Sequence, residues 1–543
     1  MNVHNLLRYS FVVLLGALLF VPFLGHVHLF DWDEINFAEC AREMIVSNDY
    51  LKVQIDFKPF WEKPPLFIWM QVLSMKVLGV NEYAARFPNA VIGIFTLIAI
   101  YHAGKRIINE RMAMWWVVLY IATWLPHFYF KSGIIDPTFN LFIFLAFFQT
   151  HLLRYGSNRF NHASLAGLFL GLAVLTKGPV AVLIALLALA VYVVANKGFC
   201  GYKFKYFIVI AAAALLPFGL WFLACIIKFG WNYGSWFIAE FITYQVRLFS
   251  TGDAGHGQPF YYHFIVLLVG CFPASAFLFQ YSTRRTTDNE AARDFTKWMW
   301  ILFWVTLLLF SIVKTKIVHY SSLCYFPLTY LAALKIHTIN EGEEKMKSRV
   351  KVLLVIIGCL LAGLIALLPF AGLYKERLSP FIKDPFAVAN LSAGVEWGIA
   401  ESFWGLAYLI CIIASAVLMR KNFRKGILTL CIASIVLIQI TVLHFTPKIE
   451  AYSQRAAIRY FKSFEGQDVY VKVLGYKSYA DLFYTKKQPQ ANPLHYSEEW
   501  LLNGNVDKPT YFICKITAAD PYRKMPQLEE IGEQNGFVFF KRK

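Results

Sequence analysis

Charge is what this chain has least of. Asp, Glu, Lys and Arg make up 16% of its 543 residues, against 58% hydrophobic. Water-soluble domains are about 45–50% apolar on a similar count, which excludes a single soluble globule. Order is lacking among the nine cysteines. Cys225, Cys359, Cys411 and Cys431 lie inside apolar runs, and no Cys-x-x-Cys or His–Cys metal spacing occurs. A disulfide scaffold and zinc modules are therefore excluded, and small apolar packing remains. Repeats of fixed period and low-complexity tracts are also missing, which excludes a solenoid. The net charge of +18 points to nucleic acid only if the basic residues gather in one patch. They are dispersed instead over short loops between apolar runs, the pattern of cytoplasmic membrane loops.

Apolar runs fill most of the chain, and the mean hydropathy is +0.50. A bilayer span needs about 20 such residues, and on that measure the chain reads as a polytopic membrane protein with about thirteen spans. They fall near 9–29, 84–104, 111–129, 137–153, 162–177, 179–196, 206–227, 260–280, 296–313, 319–337, 351–371, 398–419 and 426–445. The first run resembles a signal peptide, but without a clear small-residue cleavage site it reads as a retained span. With the N-terminus inside, every inner loop is basic; Lys105, Arg106, Arg154, Lys197, Arg284, Arg285, Lys345 and Arg424 lie in such loops. Residues 446–543 then lie outside. They are polar, with a helical pattern over 449–464 and strand-like runs at 469–474, 511–514 and 537–540. The expected organisation is a transmembrane domain over 1–445 and a small outer α/β domain over 446–543.

The scarce charge concentrates in one outer stretch, 31–65, which holds Asp31, Asp33, Glu34, Glu39, Arg42, Glu43, Glu62 and Lys63. Phe37, Ala38, Ala41 and Ile45 share a helical face, which predicts an amphipathic helix on the membrane surface. Glu62-Lys63-Pro64-Pro65 precedes a second such helix. Asp31 and Glu34 have capping-box spacing; Asp33 is not needed for a cap, so function is the better account of it. Further polar outliers sit at outer ends of spans. Asp136-Pro137 suits a helix start and equally a site. Lys177 in Thr176-Lys177-Gly178-Pro179 is a snorkelling lysine or a site cation, and intramembrane charge favours the site. The loop 240–263 offers Arg247, Asp253, His256 and Tyr262. Asp253 reads best as solvated; Arg247 suits a lipid headgroup equally well, and His256 with an acidic partner is a candidate metal ligand. Lys314, Lys316 and His319 occupy a short outer loop against the positive-inside trend.

Taken in order, these motifs resemble the aminoarabinose lipid A transferases, which stand with the protein O-mannosyltransferases in the GT-C superfamily of glycosyltransferases. The resemblance is carried by Asp33-Glu34, Phe37-Ala38-Glu39, Arg42-Glu43-Met44, Glu62-Lys63-Pro64-Pro65, Arg86-Phe87-Pro88, Asp136-Pro137, Thr176-Lys177-Gly178-Pro179, the run from His256 to Tyr262, and that from Lys314 to Tyr320. It implies a GT-C fold and inverting transfer of a sugar from a polyprenyl phosphate at the outer face of a bacterial inner membrane, to a lipid A-type or other acceptor. It implies catalytic roles for Asp33, Glu62 and Asp136, with Asp33 central. Contacts to donor phosphate or substrate fall to Glu34, Lys63, Lys177, Arg247, Tyr262, Lys314, Lys316 and His319. A divalent metal such as zinc, on Glu62 and His256, is a further expectation.

The residue chemistry fits. A polyprenyl chain stays in the bilayer while its phosphate and sugar lie at the interface, where these side chains are. Departure of the phosphate builds negative charge, which Lys and Arg in a dry cavity stabilise. A hydroxyl acceptor needs a base, and Asp33 is the candidate; a phosphate acceptor is already anionic, and Asp33 then orients a reactant or stabilises positive charge at the anomeric centre. Protein O-glycosylation is the alternative within the superfamily. A lipid-linked sugar flippase predicts inverted repeats and mid-span charges, and a scaffold leaves Asp33, Glu62 and Lys177 without a role.

Overall fold

In a computed structural model that describes residues 3–199, 201–250, 257–280 and 289–543, the apolar runs are helices whose bare faces are apolar. Along Ser348–Leu373, Val350, Leu354, Ile357 and Leu361 are buried, while Val352, Ile356, Leu360 and Leu364 form an exposed stripe four residues apart. Ile208, Leu215, Leu220 and Ile227 of Phe204–Phe229 are likewise exposed. Such stripes belong against lipid, where apolar surface costs nothing to leave outside the protein. Among the described residues, seven helices are long and apolar enough to cross a bilayer: Val3–Phe20, Glu82–Ile107, Phe204–Phe229, Glu290–Ile312, Ser348–Leu373, Ile399–Lys421 and Phe423–Ala451. The last continues well past Phe445. Asp253, His256, Arg284 and Arg285 lie outside the described residues.

Other apolar runs are broken where local chemistry stops a helix. The run expected at 111–129 divides at Thr123, whose extended ψ of 129° separates Glu110–Ala122 from Trp124–Tyr129. The run at 260–280 ends as a helix at Gly270, ahead of Pro273. Helices pack closely where Arg159–Lys177 meets Phe204–Phe229. Gly167 and Gly171 there face the carbonyl oxygens of Ile210 and Ala214 so closely that any Cβ would collide with them, the small-xxx-small arrangement of membrane helices.

The first outer segment differs from the surface helix expected of it. After α1 (Val3–Phe20), α2 spans Asp33–Ser47 and buries every residue from 34 to 44. Its N-cap is Trp32, without a side-chain capping bond, so the Asp31–Glu34 capping box does not form. Both acids are engaged elsewhere: Asp31 accepts from Ser478 Oγ at 2.5 Å, and Glu34 pairs with Arg86. Residues this polar are buried because their polar groups find partners, and because burial and the neighbouring Glu39 push the Glu43 carboxyl up to about 9. Glu39 takes two bonds from Arg42, at 2.6 and 2.7 Å. Glu43 accepts from the backbone N–H groups of Asp56 and Phe57, at 2.6 and 2.8 Å. Those two residues turn the hairpin of β1 (Gln54–Ile55) and β2 (Lys58–Pro59), and both have φ of +54°, as a two-residue type I′ turn requires. Two helices follow, α3 (Leu66–Leu78) and α4 (Glu82–Ile107). α3 keeps an apolar exposed edge at Leu73 and Val77.

What covers α2 is the C-terminal part. Strands β3 (Tyr470–Leu474), β4 (Thr510–Lys515), β5 (Leu528–Gln534) and β6 (Phe537–Arg542) form a mixed sheet ordered β3-β4-β6-β5, with β3 and β4 parallel and the other pairs antiparallel. One core joins Ile35, Ala38, Ala41 and Met44 of α2 and Ile68 and Val72 of α3 to Ile458, Phe461, Phe483 and Phe539. A second core, of Leu474, Leu501, Phe512 and Val538, lies within the C-terminal part. The sheet therefore has apolar partners in α2 and α3 as well as its own.

Candidate active site

A cavity of about 780 Å³ opens where the first outer segment meets the ends of several helices. Asp33, Glu34, Glu62, Lys63, Asp136, Lys177 and His319 all line it. Three of them are placed by helix ends. Asp33 is the first residue of α2. Asp136 opens helix Asp136–Tyr155 without acting as a side-chain cap, leaving its carboxylate for other partners. Lys177 closes helix Arg159–Lys177, where Gly178 at φ +91° turns the chain away. A cation at a helix C-terminus and an anion at an N-terminus are both favoured by the helix dipoles.

These side chains form one connected group. Lys177 Nζ lies 2.5 Å from Asp136 Oδ1, with both side chains largely buried. His319 Nε2 stands 3.3 Å from Asp33 Oδ2 and 3.8 Å from Asp136 Oδ2. One imidazole nitrogen thus lies within ion-pair distance of both aspartates. The Lys177 ammonium also lies 5.1 Å from the Tyr320 ring centroid. Asp33 is one-third exposed, at 33%, whereas Asp136 is at 3%. Of the two acids, Asp33 is the one a ligand reaches.

Beneath Asp33 lies a fixed knot. Arg86 gives two bonds to Glu34, at 2.9 and 2.7 Å, and bonds of 2.8–2.9 Å to the carbonyls of Leu24, Val27 and His28. Glu34 Oε1 also accepts from Gly133 N–H at 2.5 Å. Burial alone would raise the Glu34 carboxyl, but the Arg86 guanidinium and the backbone donors override it and hold it below the usual range. With both oxygens spoken for, Glu34 positions the first outer segment and leaves substrate contact to its neighbours.

The loop before His319 sorts its residues by alternation. Val313, Thr315 and Ile317 face the cavity, while Lys314 and Lys316 do not. An extended chain sends successive side chains to opposite sides. Lys316 turns back to the Val313 carbonyl at 2.8 Å, and Lys314 is exposed. Neither cation is delivered to the cavity, contrary to the expectation for both. Tyr262 begins a separate helix away from the lining. Arg247 lies in the last turn of Trp231–Ser250, its guanidinium 5.4 Å from the ring of Tyr244. The same ring has Lys63 Nζ at 5.9 Å and belongs to the cavity wall. His256 lies outside the described residues, and among those described no cluster of three or more His, Cys, Asp or Glu is set to hold a metal.

Three lining cations carry no role in the sequence reading. Arg86 is one; its signal is an arginine among the apolar residues of α4. Lys131 donates to the Pro22 carbonyl at 2.9 Å, and burial pulls its ammonium down to about 8. Lys477 comes from the C-terminal part, and no local pattern marks it.

Residues 62–221 match the family described as dolichyl-phosphate-mannose-protein mannosyltransferase. Among curated proteins, the undecaprenyl phosphate-alpha-4-amino-4-deoxy-L-arabinose arabinosyl transferase of Erwinia tasmaniensis is 24% identical over 414 residues, 73% of this chain and 69% of its own length. That of Edwardsiella ictaluri is 27% identical over 67% of this chain and 65% of its own length. That of Enterobacter sp. is 28% identical over 60% and 59%. The chain thus spans less than two thirds of the last two relatives. In fold, the crystal structure of ArnT from Cupriavidus metallidurans bound to undecaprenyl phosphate superposes with a TM-score of 0.76 at 15% identity, covering 100% of this chain and 98% of that one. Its apo form gives 0.75. In fold over its whole length, and in sequence over much of it, the chain is similar to these ArnT proteins.

Proposed function

We propose that this protein is a polyprenyl-phosphate-sugar-dependent glycosyltransferase of the membrane, moving its sugar to a lipid A-type acceptor. The observation that carries the reading is the connected group Asp33–His319–Asp136–Lys177 in a cavity at the helix ends. In this reading the polyprenyl chain stays in lipid and its phosphate lies near Lys177, Lys63 and Arg247. The bond between the anomeric carbon and the phosphate oxygen breaks, and an acceptor oxygen bonds to that carbon from the opposite face, with inversion. The polyprenyl phosphate leaves with the electron pair, and fixed cations in a water-poor cavity lower the cost of its charge. With a hydroxyl acceptor, Asp33 takes the proton; with a phosphate acceptor, the nucleophile arrives ionised and Asp33 stabilises positive charge at the anomeric carbon. Asp136 and His319 hold Lys177 and Asp33 in place. Glu62 belongs beside them on the cavity wall. About thirteen spans, with residues 446–543 on the periplasmic side of a bacterial inner membrane, complete the proposal.

The test is bond cleavage. Purified protein given a radiolabelled undecaprenyl-phosphate aminopentose and lipid A is expected to release undecaprenyl phosphate and label the lipid A. Translocation of intact donor without cleavage overturns the reading in favour of a flippase. Lys177→Ala is expected to raise the apparent donor constant about ten- to hundredfold, the loss of one charged hydrogen bond. An unchanged donor constant assigns the lysine to the lipid interface.

A further inference from the structure

Lys477 is brought to the cavity by the C-terminal part, across more than four hundred residues of sequence from Asp33. It sits on the short loop after β3, which Gly475 turns with φ of +72°; a Cβ there would lie 3.0 Å from Ala518. The loop is tied down beside the lysine. Ser478 Oγ donates to Asp31 at 2.5 Å and accepts from Ala480 N–H at 3.1 Å. Two further bonds bind the same outer segment to the C-terminal part: Leu29 N–H to the Tyr484 hydroxyl at 2.8 Å, and Asp31 N–H to Gln454 at 3.3 Å. The Lys477 ammonium rests 4.8 Å from the ring of Trp32 and 5.5 Å from that of Tyr479. Trp32 is the residue before Asp33 and is itself 40% exposed at the cavity.

The state of the cation decides what it can do. Of the other lining cations, Arg86 is consumed by Glu34 and three carbonyls, Lys131 is held by a backbone carbonyl, and Lys177 and Lys63 are assigned above to the donor phosphate. Lys477 is exposed and, among the described residues, has aromatic neighbours and no ion pair or hydrogen bond of its side chain. Aromatic faces hold an ammonium in place without neutralising it. A cation held on a cavity wall without an ion pair of its own, with the buried Asp31 as a neighbouring acid, can receive an anion.

We propose that Lys477 binds a phosphate of the acceptor, and so selects a phosphorylated glycolipid over a neutral one. This rests on the glycosyltransferase reading. The donor phosphate is tethered to the bilayer by its polyprenyl chain and belongs with Lys177 at the helix ends. Lys477 arrives from the sheet-bearing part, the side from which a polar headgroup enters. A phosphate on Lys477 lies against Trp32, one residue from Asp33, which places the acceptor's headgroup beside the reactive acid. The C-terminal part thereby supplies a specificity residue to a site otherwise built by the membrane helices.

The experiment compares wild type with Lys477→Ala, Lys477→Gln and Lys477→Arg, using lipid A and the same lipid A stripped of phosphate. Lys477→Ala and Lys477→Gln are expected to raise KM for lipid A about tenfold or more, with the donor KM and the kcat at saturating acceptor little changed. The ratio of equilibrium affinities for phosphorylated over stripped lipid A is expected to fall by the same factor, and Lys477→Arg to restore most of it. An unchanged acceptor KM overturns the proposal. So does an equal loss with the stripped lipid, which indicates loop disruption, or an equal rise in donor KM. If wild type transfers no sugar, the glycosyltransferase reading fails first, and equilibrium binding of lipid A to the same proteins in detergent decides the lysine: equal affinity of wild type and Lys477→Ala overturns it.

Discussion

At the scale of single residues, three neighbouring acids have three different tasks. Asp33 is part-exposed and shares the His319 imidazole with Asp136; Asp31 accepts from Ser478; Glu34 is locked to Arg86. Asp33→Asn keeps shape and removes charge, so it is expected to fold and insert normally and to lose about a hundredfold or more in turnover, the usual weight of a positioned acid or base. Near-wild-type turnover returns Asp33 to a structural role. Glu34→Gln is expected to behave in the opposite way. It strips the partner from a buried guanidinium, and breaking a buried ion pair from one side costs about 3–5 kcal/mol. The expected readout is a lower unfolding temperature in detergent. A Glu34→Gln protein of normal stability and no activity places Glu34 in the chemistry instead. The contrast was half legible in the sequence. The clustering of rare charge at helix ends marked Asp33, Asp136, Lys177 and His319. It could not show that Arg86, fifty-two positions on, occupies Glu34, because the pairing depends on how α4 packs against the first outer segment.

At the scale of elements, residues 313–320 show how a loop's register decides function. Alternation sends Val313, Thr315 and Ile317 into the cavity and Lys314 and Lys316 away from it. Charge alone drew attention to the two lysines; the two-residue period of an extended chain is what removes them. Cysteines introduced singly at Thr315 and Lys314 are expected to separate under a membrane-impermeant thiol reagent. The one at 315 should be protected by bound undecaprenyl phosphate, and the one at 314 should label at the same rate with or without it. Equal protection at both overturns the register. α2 differs from its pattern for a related reason. Its apolar face predicted a surface helix, yet its polar face is buried too, because Glu39, Arg42 and Glu43 find partners within the first outer segment. β5 escaped notice because it is an edge strand, with Glu529, Glu530 and Glu533 exposed; charge on an edge discourages pairing with other chains and hides the alternation that marks inner strands.

At the scale of the whole molecule, the C-terminal part shares a core with α2 and α3, so its docking bears on the site it helps to line. Two acids at this contact, Asp481 on the C-terminal part and Asp31 on the segment before α2, are displaced in the same direction. Burial raises the Asp481 carboxyl to about 7, with Lys472 and Lys487 pulling it down and Asp56 and Glu39 pushing it up. Burial likewise raises Asp31 to about 6, opposed by its bond from Ser478 and by Lys515 and Lys477. An acid whose folded value is raised binds its proton more tightly folded than unfolded. Its contribution to stability is complete below the ordinary carboxylate value near 4 and is lost as pH climbs through the folded value. The docked state is therefore expected to loosen between about pH 4 and pH 7. The rate of thiol labelling at Cys40, buried on α2 in the core shared with the C-terminal part, measures that loosening, since the thiol is reached only when the two parts separate. With the reagent's own pH dependence divided out on a free thiol, labelling is expected to accelerate as pH rises from 5 to 8. Asp481→Asn keeps the volume and cannot ionise, so it is expected to flatten the rise and to slow labelling most at the alkaline end. A wild-type rate that falls with pH, or an Asp481→Asn protein that labels faster than wild type at pH 8, overturns the assignment of the buried carboxylate as a cost to docking.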